Sequence, residues 1–269
     1  MIPETSGEQS LRPVHPTGVP RMKSPRPALI LLPGWGMNAR VFDALVSRLD
    51  ADFDVRAFDL PGHGGRAMLA DNTLAAWATD FASQLPAGAN VLAWSLGGLV
   101  ALRAALDHPA RIARLVLLAT TPRFVAAADW PHGIRLDDLT AFGAALDEDV
   151  EATLLRFLSL QTRGVANQKS LLQTLHSGLR ATPAPHPDAL AAGLAILRET
   201  DLRAELPALR QPTLVLSGAL DTLTPSGAST WLAGQIAAAQ RVELARAGHV
   251  PQLSHPDEVV AALRYFCDA

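Results

Sequence analysis

The sequence has one cysteine, Cys267. An internal disulfide framework is therefore excluded, and a lone thiol fits a reducing compartment. Paired-cysteine spacing and an H-E-x-x-H run are both missing, so no metal and no other cofactor is expected. No apolar run approaches the roughly 18 residues that cross a bilayer, and the N-terminus lacks the apolar core of a signal peptide. Excess positive charge is missing too. The 23 Lys and Arg against 26 Asp and Glu leave a net charge of -3, which argues against nucleic acid as a partner. "GHGG" (62–65) is not a G-x-G-x-x-G opening a helix, so it is no dinucleotide fingerprint. The expectation is a soluble, cytoplasmic monomer.

What is present is apolar: 49% hydrophobic residues, 18% charged and a mean hydropathy of +0.16 over 269 residues. That suffices for a sizeable core, in one large domain or two small ones. Residues 1–27 differ, with Pro3, Pro13, Pro16, Pro20, Pro25 and Pro27 and little apolar periodicity. They read as a mobile tail, with Met22 an alternative start. From Ala28 onward, short apolar runs at 28–32, 55–60, 90–94, 112–119, 212–218 and 241–246 read as buried strands. Between them, segments 39–49, 73–85, 97–108 and 227–239 carry helical apolar spacing. Such alternation predicts an α/β fold: a mostly parallel central sheet with right-handed crossovers and helices on both faces. Residues 122–203 hold only helical patterns, such as "LTAFGAAL" and "EATLLRFLSL". They read as an all-helical cap over the C-terminal edge of the sheet, where ligands bind. The core is then 28–121 plus 204–269.

In "NVLAWSLGGLVALRAALDHP" (90–109) a hydroxyl interrupts an apolar run. Ser95 is either a satisfied core hydroxyl or the tip of a turn. If "NVLAW" is strand and "GGLVALRAAL" helix, the joint residue is strained and needs small neighbours, which Ala93, Gly97 and Gly98 supply. This is the nucleophile-elbow pattern G-x-S-x-G of the α/β-hydrolases, with alanine in the first small position. One extra methyl there predicts slight crowding. A serine nucleophile needs a base, and the base needs a carboxylate to orient it. In chain order, "TLVLSGALDTLTP" offers Asp221 and "VELARAGHVPQLSHPDEV" offers His249, each in a loop leaving the C-terminal end of a strand. Asp221 could instead be a turn residue, and His255 is a rival base, although its place before Pro256 suits a cap. His63 is expected to shape a loop and His108 to end a helix. Acyl transfer also needs oxyanion donors. The backbone N–H of Leu96 is one candidate and that of Trp35, between Gly34 and Gly36, the other. The Trp35 ring would floor the acyl pocket, or be simply a core aromatic.

Taken together, "LLPGWGMNARVFDAL", "FDLPGHGGR", "AWSLGGLVAL", "HPARIARLVLLATTPRFVAAADWP", "RFLSLQTRG", "GLAILRETDLR" and "AGHVPQLSHPDEV" resemble the pimeloyl-acyl-carrier-protein methyl ester esterases of biotin synthesis. The likeness runs from Leu29 to the C-terminus. It implies an α/β-hydrolase fold and a cytoplasmic carboxylesterase that hydrolyses the methyl ester of pimeloyl-acyl-carrier protein. It also implies Ser95 as nucleophile, His249 as base, Asp221 as orienter, and a substrate site formed with Trp35, Leu96, Phe157, Leu158, Ser159, Leu160 and Gln161. Two departures stand out: Ala93 where the family usually has Gly, and Pro33 where it often has His. Other readings are a short-chain esterase, a carbon–carbon bond hydrolase, or a receptor that binds without turnover.

Charge along the cap is segregated. Asp137, Asp138, Asp147, Glu148, Asp149 and Glu151 are followed by Arg156, Arg163, Lys169 and Arg180 with no acid between residues 152 and 187. Arg156, Arg163 and Lys169 could dock an acidic carrier protein, or merely form a solvated face.

Overall fold

The computed structural model describes residues 26–268; the expected tail and alternative start fall, apart from Arg26 and Pro27, outside them. Six strands, β1 (Ala28–Leu32), β2 (Asp54–Ala57), β3 (Ala89–Trp94), β4 (Ile112–Leu118), β5 (Thr213–Gly218) and β6 (Ala239–Leu244), form one sheet in the order β2-β1-β3-β4-β5-β6. Every neighbouring pair is parallel. In β3 all six residues are buried, as a strand covered on both faces requires.

The helices are α1 (Asp43–Leu49), α2 (Leu74–Gln84), α3 (Leu96–Asp107), α4 (Leu136–Glu148), α5 (Val150–Gln161), α6 (Gln168–Arg180), α7 (Pro187–Glu199), α8 (Ser226–Gln235), the single turn α9 (Pro251–Ser254) and α10 (Pro256–Asp268). Strand side chains alternate between two core layers. Ile30, Leu32, Val91 and Ala93 pack with Trp77 and Phe81 of α2, Leu99 of α3 and Leu232 of α8. Leu29, Leu31, Leu92 and Trp94 pack with Leu45 and Leu49 of α1 and Val259 and Leu263 of α10.

The chain leaves β1 toward β2 on one side, and β3 lies on the other. The loops after β1 and β3 therefore diverge and leave a crevice at the switch point, where open α/β sheets bind ligands.

Several boundaries differ from the sequence reading by a few residues, two of them for a visible reason. The strand expected at 55–60 ends at Ala57 because the chain turns there, and the Asp59 carboxylate accepts the Ala39 N–H at 2.6 Å. The last strand begins at Ala239, not Arg241, since Ala239 pairs with Thr213. The run Ala237–Ala239 has helical propensity, but sheet pairing overrides it.

The insert between β4 and β5 contributes α4–α7 and no strand of the sheet, though its first helix starts only at Leu136. Before that, residues 122–135 form a loop with isolated bridges, one of them Arg123 to Asp201. Trp130 pins this loop. Its indole donates to Arg123 O (3.0 Å), it meets Trp231 edge-on at 5.1 Å, and the Arg203 guanidinium lies 5.3 Å from its ring centre. Arg203 pairs with Asp129 and Asp201, and Arg123 also pairs with Asp201. The entry and exit of the insert are thus fastened together. Among the described residues no helix is long and apolar enough to cross a membrane.

Candidate active site

β3 runs straight into α3, and Ser95 at the joint has φ 55 and ψ -123, a conformation L-residues rarely adopt. The turn closes only if the next residues are small. A Cβ at position 97 would lie 2.5 Å from Pro33 O and 2.7 Å from Leu32 O, so glycine there lets the β1 loop reach the serine. Ala93 is fully buried between Leu32 and Leu117, and its methyl fits with Ser95 still in the elbow conformation. Just after β4, Ala119 also has positive φ (43), and the next residue, Thr120, donates its hydroxyl to Ser95 O at 2.7 Å.

Ser95, Asp221 and His249 converge although they are far apart in sequence. The His249 Nε2 lies 3.0 Å from Ser95 Oγ, and its Nδ1 lies 2.8 Å from Asp221 Oδ2. A carboxylate only accepts, so Nδ1 carries the proton and Nε2 is left to accept from the serine hydroxyl. All three residues are buried. Four bonds converge on the Asp221 carboxylate. Oδ1 accepts from the N–H of Leu223 (2.8 Å) and Thr224 (3.0 Å), and Oδ2 from the Thr224 hydroxyl (2.6 Å) and His249. The Trp94 indole donates to His249 O at 2.7 Å and so holds the histidine loop to β3.

Leu96 is the first residue of α3, so its N–H has no partner within the helix. Trp35 sits in the β1 loop, where Gly34 Cα packs toward Ser95. Its ring is buried, and its indole donates to Leu190 O of α7 at 2.8 Å. Phe142 and Phe157 meet it edge-on at 5.4 and 5.0 Å.

A cavity of about 410 Å³ has in its wall Thr222 and Leu223, the two residues that follow Asp221. Its walls include Trp35, Phe142, Phe157, Leu160, Thr222 and Leu223, with Asp138, Arg156 and Arg163 as charged members. Of the residues expected to line a substrate site, Trp35, Phe157 and Leu160 line this cavity. Leu158 is fully buried and belongs with Leu175 of α6 to the same apolar cluster as Leu29 and Leu31. Ser159 faces its own helix and donates to Leu155 O (3.2 Å). Gln161 is buried and its amide has no hydrogen-bond partner among the described residues. Ser95, Leu96 and His249, also expected there, are not among its wall residues.

Arg156, Arg163, Lys169 and Arg180 are exposed, and none forms an ion pair within the described residues. Lys169 stands in the first turn of α6. His255 ends α9 and contacts the Ser254 hydroxyl at 2.9 Å, apart from the triad. His108 ends α3, as expected. His63 is buried in the loop after β2, with Nδ1 donating to Pro61 O at 2.9 Å. Among the described residues no group of His, Cys, Asp and Glu is arranged to hold a metal. Sequence reasoning missed Thr224, Trp94 and Thr120. Only Thr224 had a local signal, as a hydroxyl three residues after Asp221 in a capping arrangement.

The sequence pattern of the alpha/beta hydrolase fold family matches residues 27–256. A pimeloyl-acyl-carrier-protein methyl ester esterase of Aromatoleum aromaticum is 43% identical over 238 residues, which cover 87% of this chain and 95% of the relative. One of the same name from Nitrosomonas europaea is 41% identical, covering 87% and 93%. Among solved structures, an esterase from Exiguobacterium antarcticum superposes with a TM-score of 0.82 at 21% identity, over 91% of this chain and 94% of that one. This last likeness concerns the fold.

Proposed function

We propose a reaction for this chain, which belongs to the α/β-hydrolase family and, within it, to the pimeloyl-acyl-carrier-protein methyl ester esterases, and is a carboxylic ester hydrolase. Its substrate is the methyl ester of a pimeloyl group on acyl-carrier protein. The products are methanol and pimeloyl-acyl-carrier protein, in biotin synthesis. It acts as a cytoplasmic monomer without cofactor.

The relay from Ser95 through His249 to Asp221 carries the reading. Ser95 Oγ attacks the ester carbonyl carbon while its proton passes to His249 Nε2. The carbonyl oxygen becomes an oxyanion held by the N–H groups of Trp35 and Leu96. Each such donor is worth on the order of 3 kcal/mol in the transition state. Collapse breaks the bond to the methoxy oxygen, which takes the proton from His249 and leaves as methanol. Water then gives a proton to His249 and attacks the acyl-enzyme. The second collapse returns that proton to Ser95 Oγ and frees the carboxylic acid. Asp221 stays ionised throughout and holds the histidine tautomer.

The cavity supports a short acyl substrate, being within the ~300–1,000 Å³ usual for small-molecule sites and mostly apolar. Arg156, Arg163 and Lys169, without ion pairs among the described residues, supply positive charge that would attract an acidic carrier. Asp138 lies in the same wall, so the attraction is local to the α5–α6 side.

The test is methanol release from pimeloyl-carrier methyl ester, measured beside p-nitrophenyl acetate. The reading expects strong preference for the carrier substrate, loss of both activities in Ser95→Ala, and rescue of a biotin-requiring strain that lacks its own esterase. Equal activity on simple esters without rescue would make the chain a general esterase. Binding without turnover would make it a receptor.

A further inference from the structure

The two residues whose amides are assigned to the oxyanion share one neighbour, on helix α7. A Cβ built at Gly193 would lie 2.6 Å from Trp35 Cδ1, 3.1 Å from Trp35 Nε1 and 3.1 Å from Leu96 Cδ2. Three residues earlier on the same helix, Leu190 accepts the Trp35 indole proton through its carbonyl at 2.8 Å. Positions three apart lie on one helical face, so Leu190 and Gly193 together hold the Trp35 ring. The Leu190 side chain, with Leu154 of α5, also covers Gly36, which turns the β1 loop with φ 69.

Nothing in the helix itself calls for glycine at position 193. α7 runs from Pro187 to Glu199, and Gly193 sits in its buried middle without positive φ. Glycine in a helix interior costs about 1 kcal/mol relative to alanine. The contact explains what that cost secures: any side chain at 193 must push on Trp35, on Leu96, or move α7 away from both.

We propose that Gly193 is a positioning residue for the oxyanion hole. It lets α7 seat against Trp35 and Leu96, and with the Leu190 carbonyl it fixes the loop that aims the Trp35 N–H. The state of the insert and the electrostatics of the acyl transition state are thereby coupled through one ring. This inference rests on the assignment of the Trp35 and Leu96 amides as donors.

The experiment uses the full chain and three variants, Gly193→Ala, Trp35→Phe and the two combined. Each is assayed for kcat and KM on p-nitrophenyl acetate, and for affinity toward an aliphatic trifluoromethyl ketone and the corresponding planar methyl ketone. Serine adds to the fluorinated ketone and creates the oxyanion; the methyl ketone reports ordinary pocket binding. Losing a whole oxyanion donor costs about 10²–10³ in kcat, and displacing one costs less. In Gly193→Ala the expected fall is roughly tenfold to a hundredfold in kcat, with KM within about twofold. Fluorinated-ketone affinity falls in parallel and methyl-ketone affinity stays put. Phenylalanine at 35 removes the indole proton and frees space, so Trp35→Phe lowers kcat by itself. Adding Gly193→Ala to it then costs less than about threefold, a non-additivity that distant sites do not show.

A Gly193→Ala enzyme within twofold of the parent in kcat and fluorinated-ketone affinity would overturn the inference alone. So would a loss in which both ketones weaken together, the mark of a merely structural role. If alanine at 193 prevents folding, an unchanged kcat in Trp35→Phe overturns it instead. A parent enzyme that binds the fluorinated ketone no better than the planar one would overturn the donor assignment, and this inference with it.

Discussion

The Thr120 hydroxyl donates to the carbonyl of Ser95 at 2.7 Å, and both ends of that bond lie beside backbone strain. Ser95 and Ala119 are two non-glycine residues of positive φ, each directly following one of the neighbouring strands β3 and β4. Such conformations persist only where surroundings over-determine them. Thr120→Val keeps the shape and removes the bond. Ser95 O still accepts from the Gly98 N–H at 2.8 Å, so the stability loss should be near the low end for an abandoned buried acceptor, about 1 kcal/mol. We expect roughly a tenfold fall in kcat with KM little changed. Thr120→Ser should restore kcat. Steady-state kinetics and urea midpoints of both variants check this, and a valine variant that loses stability at full kcat would refute it.

The Asp221 carboxylate is held by two amides and a hydroxyl besides His249, so Asp221→Asn should fold. Its side-chain oxygen can still accept from Leu223 and Thr224, but an amide presented to His249 Nδ1 favours the wrong tautomer. The expected loss in kcat is about 10⁴-fold, the size seen for this change in serine triads. Thr224→Val removes one bond of four and should cost nearer tenfold. Similar losses in the two variants would mean that the hydroxyl, rather than the charge, governs the histidine.

The convergence of Ser95, Asp221 and His249 was legible because it follows from sheet topology. In a parallel sheet every strand delivers its C-terminal end to one rim, so a serine after β3, an acid after β5 and a histidine after β6 must meet there. Contacts that hold the triad in place were mostly not legible. The Trp94 donation to His249 O spans 155 residues, and that of Trp35 to Leu190 O spans another 155. Both acceptors are backbone carbonyls, which every residue possesses, so no residue type marks them. The start of β6 was misplaced for a related reason: alanine-rich sequence states a local preference, and pairing with β5 decides otherwise.

His63 makes stability depend on pH. Burial lowers its pKa from 6.5 to about 4, and its Nε2 is buried with no partner among the described residues. The unfolded chain therefore binds a proton between those values that the folded chain refuses. Stability from this group is complete above pH 6.5 and declines as pH falls toward 4. At about 1.4 kcal/mol per unit, the decline is on the order of 3 kcal/mol. Chemical denaturation from pH 7.5 to 4.0 should show this slope. His63→Asn, which can still donate to Pro61 O, should be less stable at neutral pH but flatter across the window. An unchanged slope would place the acid sensitivity elsewhere.

Charge reversal at Arg156 and Lys169, which form no ion pair among the described residues, tests carrier recognition separately from chemistry. Arg156 lines the cavity and Lys169 begins the next helix, whereas the cations at the base of the insert, Arg123 and Arg203, are committed to Asp201 and Asp129. Reversing Arg156 and Lys169 to Glu turns local attraction for an acidic carrier into repulsion without touching the triad. KM for the carrier-bound ester should rise at least about tenfold more than KM for p-nitrophenyl acetate at low salt. Surface charges are screened over about 8–10 Å at physiological ionic strength, so the excess should shrink steadily as salt is raised. A purely steric effect of two shorter acidic side chains would burden both substrates and ignore salt. Equal increases for the two esters, unchanged by salt, would remove these residues from carrier recognition and leave the solvated-face reading in place.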